Sequence, residues 1–263
     1  MAIRVGVFGA AGRMGSLVCR TVAGDPDLEL VAGIDTLHEG IDLRTVTGAD
    51  VRGLQVAATP DALVEARAEV AIDFTHVDAA RRNLAWCADH GLHAVVGTTG
   101  FVAEDYEDLR GRFTSSNCFV APNFAIGAVL MMRFSEMAAR YFESAEIIEL
   151  HHDQKVDSPS GTAMLTAERM AAASSDWSAD PTQKLVVEGS RGGAAAGGIH
   201  IHSVRLRGLV AHQEVLLGTT GQSLSIRHDS YDRSSFMPGV LLAVKSVAGR
   251  PGLTIGLDAL LDI

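Results

Sequence analysis

A glycine turn near the start of the chain constrains its fold more than any other feature. Ile3–Phe8 reads as a strand, Gly9-Ala10-Ala11-Gly12-Arg13-Met14-Gly15 follows, and Ser16–Ala23 reads as a helix. Gly9, Gly12 and Gly15 fall in the spacing G-x-x-G-x-x-G. Set between a strand and a helix at the head of a βαβ unit, this is the context that a dinucleotide fingerprint requires. Glycine permits the tight turn and lets the backbone approach a pyrophosphate. The helix N-terminus then offers free N–H groups and the positive end of its dipole. Arg13 adds a charge able to meet a phosphate. Asp35 closes the next strand candidate, Leu28–Asp35, 26 residues beyond Gly9, near where an acid accepts hydrogen bonds from an adenosine ribose. The acid leans towards NADH and Arg13 towards NADPH, so the choice stays open.

Strand and helix candidates then alternate. Val70–Phe74, His93–Gly97 and Asn117–Ala121 read as strands, with helices at Pro60–Ala68, Ala79–His90 and Ala103–Arg112 and a short strand at Leu54–Ala58. This order predicts a parallel sheet of the doubly wound, Rossmann type. Two segments fall at strand ends, where such sheets bind ligands: Asp73-Phe74-Thr75 and Gly97-Thr98-Thr99-Gly100. Ordinary turn chemistry explains either one equally well. After residue 122 the pattern changes to a long helix, Ala125–Phe142, a strand, Ala145–His151, and a helix, Leu165–Ala173. Ser174–Lys184 and Gly189–Gly198 read as loops. Ile199–Leu206, Ala211–Leu217 and Ser223–His228 are strands on short connections, which predicts a second, α+β domain with an antiparallel or mixed sheet. Val240–Ala248 is a final helix and Leu253–Leu257 a last strand.

Charge and composition narrow the function. The net charge of −10 argues against a nucleic-acid partner, which selects a basic face. Apolar runs such as Phe124–Met132 fall far short of the ~18 residues of a membrane span. The N-terminus lacks the pattern of a signal peptide. The three cysteines, Cys19, Cys87 and Cys118, support neither a disulfide framework nor a zinc ribbon. Reduced thiols in a cytoplasm are the expectation.

Residues 149–163, Glu-Leu-His-His-Asp-Gln-Lys-Val-Asp-Ser-Pro-Ser-Gly-Thr-Ala, are the most informative stretch. They lie between a strand and a helix. Ser160 suits an N-cap, with Gly161 and Thr162 opening the helix, whose N–H groups suit a carboxylate. Lys155 supplies charge, and His151 or His152 a proton near neutral pH. His200 and His202 share a strand face, but no cysteine lies nearby and H-E-x-x-H is absent, so no metal is expected.

These motifs together resemble the 4-hydroxy-tetrahydrodipicolinate reductase (dihydrodipicolinate reductase) family of the diaminopimelate branch of lysine biosynthesis. The resemblance rests on Gly9–Gly15, Asp73–Thr75, Gly97–Gly100, Ala121-Pro122-Asn123-Phe124 and, above all, His151–Thr162, and it covers nearly the whole chain. It implies an NADH- or NADPH-dependent reduction of a small dicarboxylate in a cytoplasmic homotetramer. The implied organisation is a dinucleotide domain at 1–122 and 235–263, with a substrate and oligomerisation domain at 123–234. In the cofactor site it implies Gly9, Ala11, Gly12, Arg13, Met14, Gly15, Asp35, Phe74, Thr75, Gly97 and Thr99, with Ala121 and Phe124 beside the nicotinamide. His151 is implied as general acid and Lys155 as catalytic partner and substrate-carboxylate contact. His152, Ser160, Gly161 and Thr162 complete the implied substrate site. Ser158 replaces an alanine common in the family, and Arg205–Val210 departs from its usual pattern and receives no role.

Two other functions compete. Another two-domain dehydrogenase has no need of the His151–Thr162 motif. A non-catalytic redox sensor would keep Gly9–Gly15 but has no reason for a His/Lys cluster in its second half.

Overall fold

The computed structural model describes residues 1–261. The chain divides into two compact units, one formed by Met1–Phe124 with 236–261, the other by Ala125–Ser235.

In the first unit the strands are β1 (Ile3–Phe8), β2 (Leu28–Ile34), β3 (Val56–Ala57), β4 (Val70–Asp73), β5 (His93–Val96) and β6 (Cys118–Val120). The helices between them are α1 (Arg13–Gly24), α2 (Leu43–Thr47), α3 (Asp61–Glu65), α4 (Val77–Asp89) and α5 (Ala103–Arg112). β12 (Leu253–Ile255) returns to pair parallel with β6. The sheet order is β12-β6-β5-β4-β1-β2-β3, and every pairing is parallel. Strand order reverses between β1 and β4, so the carboxyl ends of those two strands open the crevice where doubly wound sheets bind ligands. The helices bury stripes at helical spacing: Gly15, Val18, Cys19 and Val22 on α1, and Ala80, Leu84, Cys87 and Ala88 on α4. Leu84 packs with Leu63, Leu109 and Phe113. Each such side chain contributes about 1.5–3 kcal/mol on full burial. All three cysteines are free and buried. Burial pushes the Cys19 thiol up to about 12, which leaves it unreactive near neutral pH.

The second unit holds α6 (Ile126–Ala139), β7 (Ser144–His151), α7 (Gly161–Ala173), β8 (Gly193–Ala194), β9 (His200–Arg205), β10 (Ala211–Thr219) and β11 (Gln222–Ser230). Its five strands run in the order β11-β10-β7-β9-β8. β7 and β9 are parallel and the other pairs antiparallel, so the sheet is mixed. Ile147, Ile201, Val215 and Leu217 bury against Ala139, Ala163, Ala167 and Met170 of α6 and α7. The chain then re-enters the first unit through α8 (Met237–Ser246).

Two elements depart from the expectations. Leu43–Thr47 is helical, with Asp42 Oδ1 accepting from the Thr45 amide at 2.9 Å and Gly48 at φ 73° closing the turn. Those Asp and Gly signals were present in the sequence but flank only five residues. Within the glycine-rich stretch expected to be loop, Gly193–Ala194 pairs with Ile201 and His200. Among the described residues, no helix is long and apolar enough to cross a membrane.

Candidate active site

The glycine turn is built by close approach. Gly9 sits at φ +66°, a conformation that side chains with a Cβ resist. The Gly12 amide donates to Gly9 O at 2.9 Å. A Cβ on Gly15 would lie 1.9 Å from that same oxygen, so only glycine lets α1 start this near the turn. The N-cap is Gly12, with no side-chain cap and no acidic residue in the first turn. The first amides of α1 therefore carry positive potential without an internal acceptor from the cap, and exposed Arg13 adds a full charge. These features fit a pyrophosphate.

Asp35 stands just past β2 and ties the turn to it. Its Oδ2 accepts from the Ala11 amide at 3.1 Å and its Oδ1 from Leu37 at 3.0 Å. At the end of β4, buried Asp73 gathers four donors. Oδ1 accepts from the Thr75 amide at 2.8 Å, the Thr75 hydroxyl at 2.7 Å and the Thr98 hydroxyl at 3.0 Å, and Oδ2 from Asn83 at 2.7 Å. One carboxylate thus fixes the loops after β4 and β5, leaving Thr99 exposed. Thr75 in turn borders the turn, since a Cβ on Gly9 would meet its Cγ2 at 3.0 Å. The Phe74 ring lies over Gly97, where a Cβ would be 2.0 Å from it. Phe74 also packs on Phe124 at 5.7 Å between centroids. Gly97→Ala is therefore expected to dislodge Phe74 and destabilise the unit by about 1–3 kcal/mol; a thermal melt as stable as the parent's would contradict this.

All thirteen residues expected around a cofactor fall at the carboxyl edge of this one sheet. They differ in what they present. Ala121 and Phe124 are buried, so their side chains serve packing and only backbone remains for a ligand.

In the second unit, β7 delivers His151 at its end and α7 begins ten residues later. Glu149, fully buried, points the same way as His151 because strand residues two apart share a face. Its Oε2 lies 2.5 Å from His151 Nδ1. Arg205 of β9 donates to both of its oxygens at 2.9 Å, and the Ser160 amide donates to Oε1 at 3.2 Å. Burial alone would raise the Glu149 pKa, but hydrogen bonds from Arg205, Ser203 and His151 outweigh it and hold the carboxyl below its ordinary range. Burial pushes the His151 imidazole below its usual value, against the pull of Glu149.

Ser160, expected to touch substrate, is buried and caps the helix. Its hydroxyl accepts from the Ala163 amide at 3.2 Å. The Gly161 and Thr162 amides precede that capped position, and a Cβ on Gly161 would meet nothing within 4 Å. Lys155 Nζ contacts both Asp157 oxygens at 2.7 Å. His152 is exposed, its Nδ1 accepting from the Gln154 amide at 3.2 Å. His151, His152, Lys155, Gly161 and Thr162 thus lie on one strand end, loop and helix start. Among the described residues, no group of three or more His, Cys, Asp or Glu side chains is gathered around a metal position.

Sequence reasoning missed Glu149 and Arg205. Glu149 was legible as the same-face neighbour of His151. Arg205 was not, because only the parallel register of β7 and β9 sets it beside His151.

A doubly wound sheet with an uncapped glycine turn, joined to a unit bearing a histidine, a lysine and an open helix start, defines a two-domain dinucleotide-linked reductase. Comparison makes this specific. The family described as "Dihydrodipicolinate reductase, N-terminus" matches residues 3–124, and its C-terminal counterpart matches 127–261. The chain belongs to the dihydrodipicolinate reductase family. It is 51% identical to the 4-hydroxy-tetrahydrodipicolinate reductase of Nocardia farcinica over 100% of both chains. It is 50% identical to that of Cutibacterium acnes over 99% of both. A dipicolinate-bound dihydrodipicolinate reductase from Paenisporosarcina superposes with TM-score 0.87 at 41% identity, covering 98% of this chain and 99% of the other. An amine dehydrogenase from Mycobacterium smegmatis, at TM-score 0.63 and 14% identity over 97% of this chain and 95% of its own, shares the fold alone.

Proposed function

We propose that the chain reduces 4-hydroxy-tetrahydrodipicolinate to tetrahydrodipicolinate, with one reduced nicotinamide dinucleotide and one proton consumed and water and oxidised dinucleotide released. The observation that carries this is the second unit's juxtaposition of His151, Lys155 and the open first turn of α7. Identities of 51% and 50% to reductases over nearly the whole of both chains support it, and the solved relative is bound to dipicolinate, a planar dicarboxylate.

The dinucleotide, held by the glycine turn and Asp35, supplies the hydride when bound. Gly9, Ala11, Gly12, Arg13, Met14 and Gly15 form the pyrophosphate cradle. Phe74, Thr75, Gly97, Thr99, Ala121 and Phe124 form the nicotinamide side. Asp35 suits a ribose diol and Arg13 a ribose phosphate, so the reading is that both NADH and NADPH serve. The Gly161 and Thr162 amides receive one substrate carboxylate, using the helix dipole as well as hydrogen bonds. Lys155 leaves Asp157 to neutralise that charge, and His152 contacts the ring's other side. His151, its Nδ1 anchored, gives the proton from Nε2 as the hydride arrives. The dianionic substrate opposes the burial that lowers the His151 pKa, so binding itself charges the acid.

The test is oxidation of NADH and NADPH with freshly generated substrate, followed by loss of reduced-nicotinamide absorbance. Turnover is expected with either. None, with dinucleotide still bound, would overturn the substrate assignment. Lys155→Ala is expected to raise KM and lower kcat by at least about tenfold each, since its charge holds the substrate carboxylate in the ground state and counts for more in the transition state. Unaltered kinetics would take Lys155 out of the site.

A further inference from the structure

We infer that Glu149 is a positioning residue for this reaction, holding His151 as the Nδ1–H tautomer and locking it to the helix start that receives the substrate carboxylate. The inference rests on the proposed role of His151.

The geometry is that of one carboxylate shared by both halves of the site. Oε2 faces the His151 ring, and Oε1 faces the backbone amide of Ser160, the cap of α7. Arg205 bridges the two oxygens and extends to the Asp157 carbonyl at 2.7 Å. Arg205 and the Ser160 amide can only donate, so the carboxyl they surround serves as an anion. A bidentate guanidinium is the partner best shaped to keep it one. The Nδ1 of His151 must then carry the hydrogen, because an ionised carboxylate has none to give. Neutral His151 consequently presents a bare Nε2, and protonation places the labile hydrogen there. A carboxylate opposite an imidazole both selects the tautomer and stabilises the imidazolium.

The charged groups around His151 divide simply. Glu149 comes from its own strand, Arg205 from β9, and Lys155 with its partner Asp157 from the following loop. β10 sets uncharged Ala211 opposite. Among the described residues, Glu149 is the one anion in direct contact with the ring, and Asp157 pairs with Lys155 until the substrate draws the lysine away.

Two measurements on the full-length protein test this. Ring 13C and 15N shifts of labelled histidine, taken above the pH where His151 is neutral, are expected to report Nδ1–H, the opposite of the form free imidazole side chains favour. Finding Nε2–H would overturn the inference without any variant. Second, rate falls as pH rises past the acid's pKa. Glu149→Gln is expected to move that limb down by about one to three pH units and to lower kcat about 10–10²-fold, within what a positioned acid contributes. Arg205→Lys keeps a cation but loses the fork, and is expected to shift the limb in the same direction by less. An unmoved limb in Glu149→Gln, while His151→Gln abolishes it, would overturn the positioning role. A limb that survives His151→Gln would instead defeat the acid assignment, leaving the tautomer result standing.

Discussion

His151→Gln is expected to lower kcat by about 10²–10⁴-fold, the range a positioned proton donor contributes, while dinucleotide affinity stays within about twofold. Glutamine keeps the polarity and much of the reach of histidine, but it has no proton to release near neutral pH. Glu149 and Arg205 remain bound to one another at 2.9 Å through two bonds, so the substitution leaves no buried carboxylate unpaired. The effect should therefore appear in turnover rather than in folding, and a thermal melt near the parent's would accompany it. Steady-state rates with saturating dinucleotide measure the first quantity and direct binding the second. Turnover equal to the parent's would remove His151 from the chemistry.

The other large effect is expected at Gly15. A Cβ there would stand 1.9 Å from Gly9 O, 2.7 Å from Gly9 C and 2.9 Å from Ala10 Cα. All three are backbone atoms, so nothing flexible can yield. Either α1 withdraws from the turn or the turn loses its shape, and in both cases the first amides of the helix leave the pyrophosphate position. Gly15→Ala is expected to weaken dinucleotide binding at least about tenfold, equivalent to ~1.4 kcal/mol, with a further ~1–3 kcal/mol lost from stability to overpacking. Gly24, in the same helix, is the control. A Cβ there meets nothing within 4 Å, so Gly24→Ala is expected to leave binding unchanged. Equal affinities for the two variants, measured by quenching or calorimetry, would mean that the close approach at Gly15 is irrelevant to the ligand.

The two halves of the chain were unequally legible. β1 runs Ile3–Phe8, as its apolar run predicted, and α4 runs Val77–Asp89, close to the expected Ala79–His90. A parallel strand buried on both faces writes a continuous apolar run, and an amphipathic helix writes its period. The short α2 escaped notice because five residues cannot display a helical period. The β8 pairing escaped because Gly193 and Ala194 carry no β signal. Within the site, the His151–Thr162 motif was visible as a cluster, yet its wiring was not. Ser160 proved to be committed to the cap and to Glu149, and Lys155 to Asp157.

Local chemistry alone determined the glycine turn, the strand-helix alternation, the uncapped start of α1, the Ser160 cap of α7 and the types of residue available for proton transfer and carboxylate binding. Each depends on neighbours within one or two turns of chain, so composition and spacing suffice to specify it. Only the tertiary structure decided that Thr98 and Thr75 share the buried Asp73, that Phe74 covers Gly97, and that Arg205 clamps the carboxylate behind His151. Arg205 and Glu149 lie 56 residues apart, and the parallel register of β7 with β9 brings them together. Register follows from which faces the whole sheet buries, a property of the packed unit that no local segment contains.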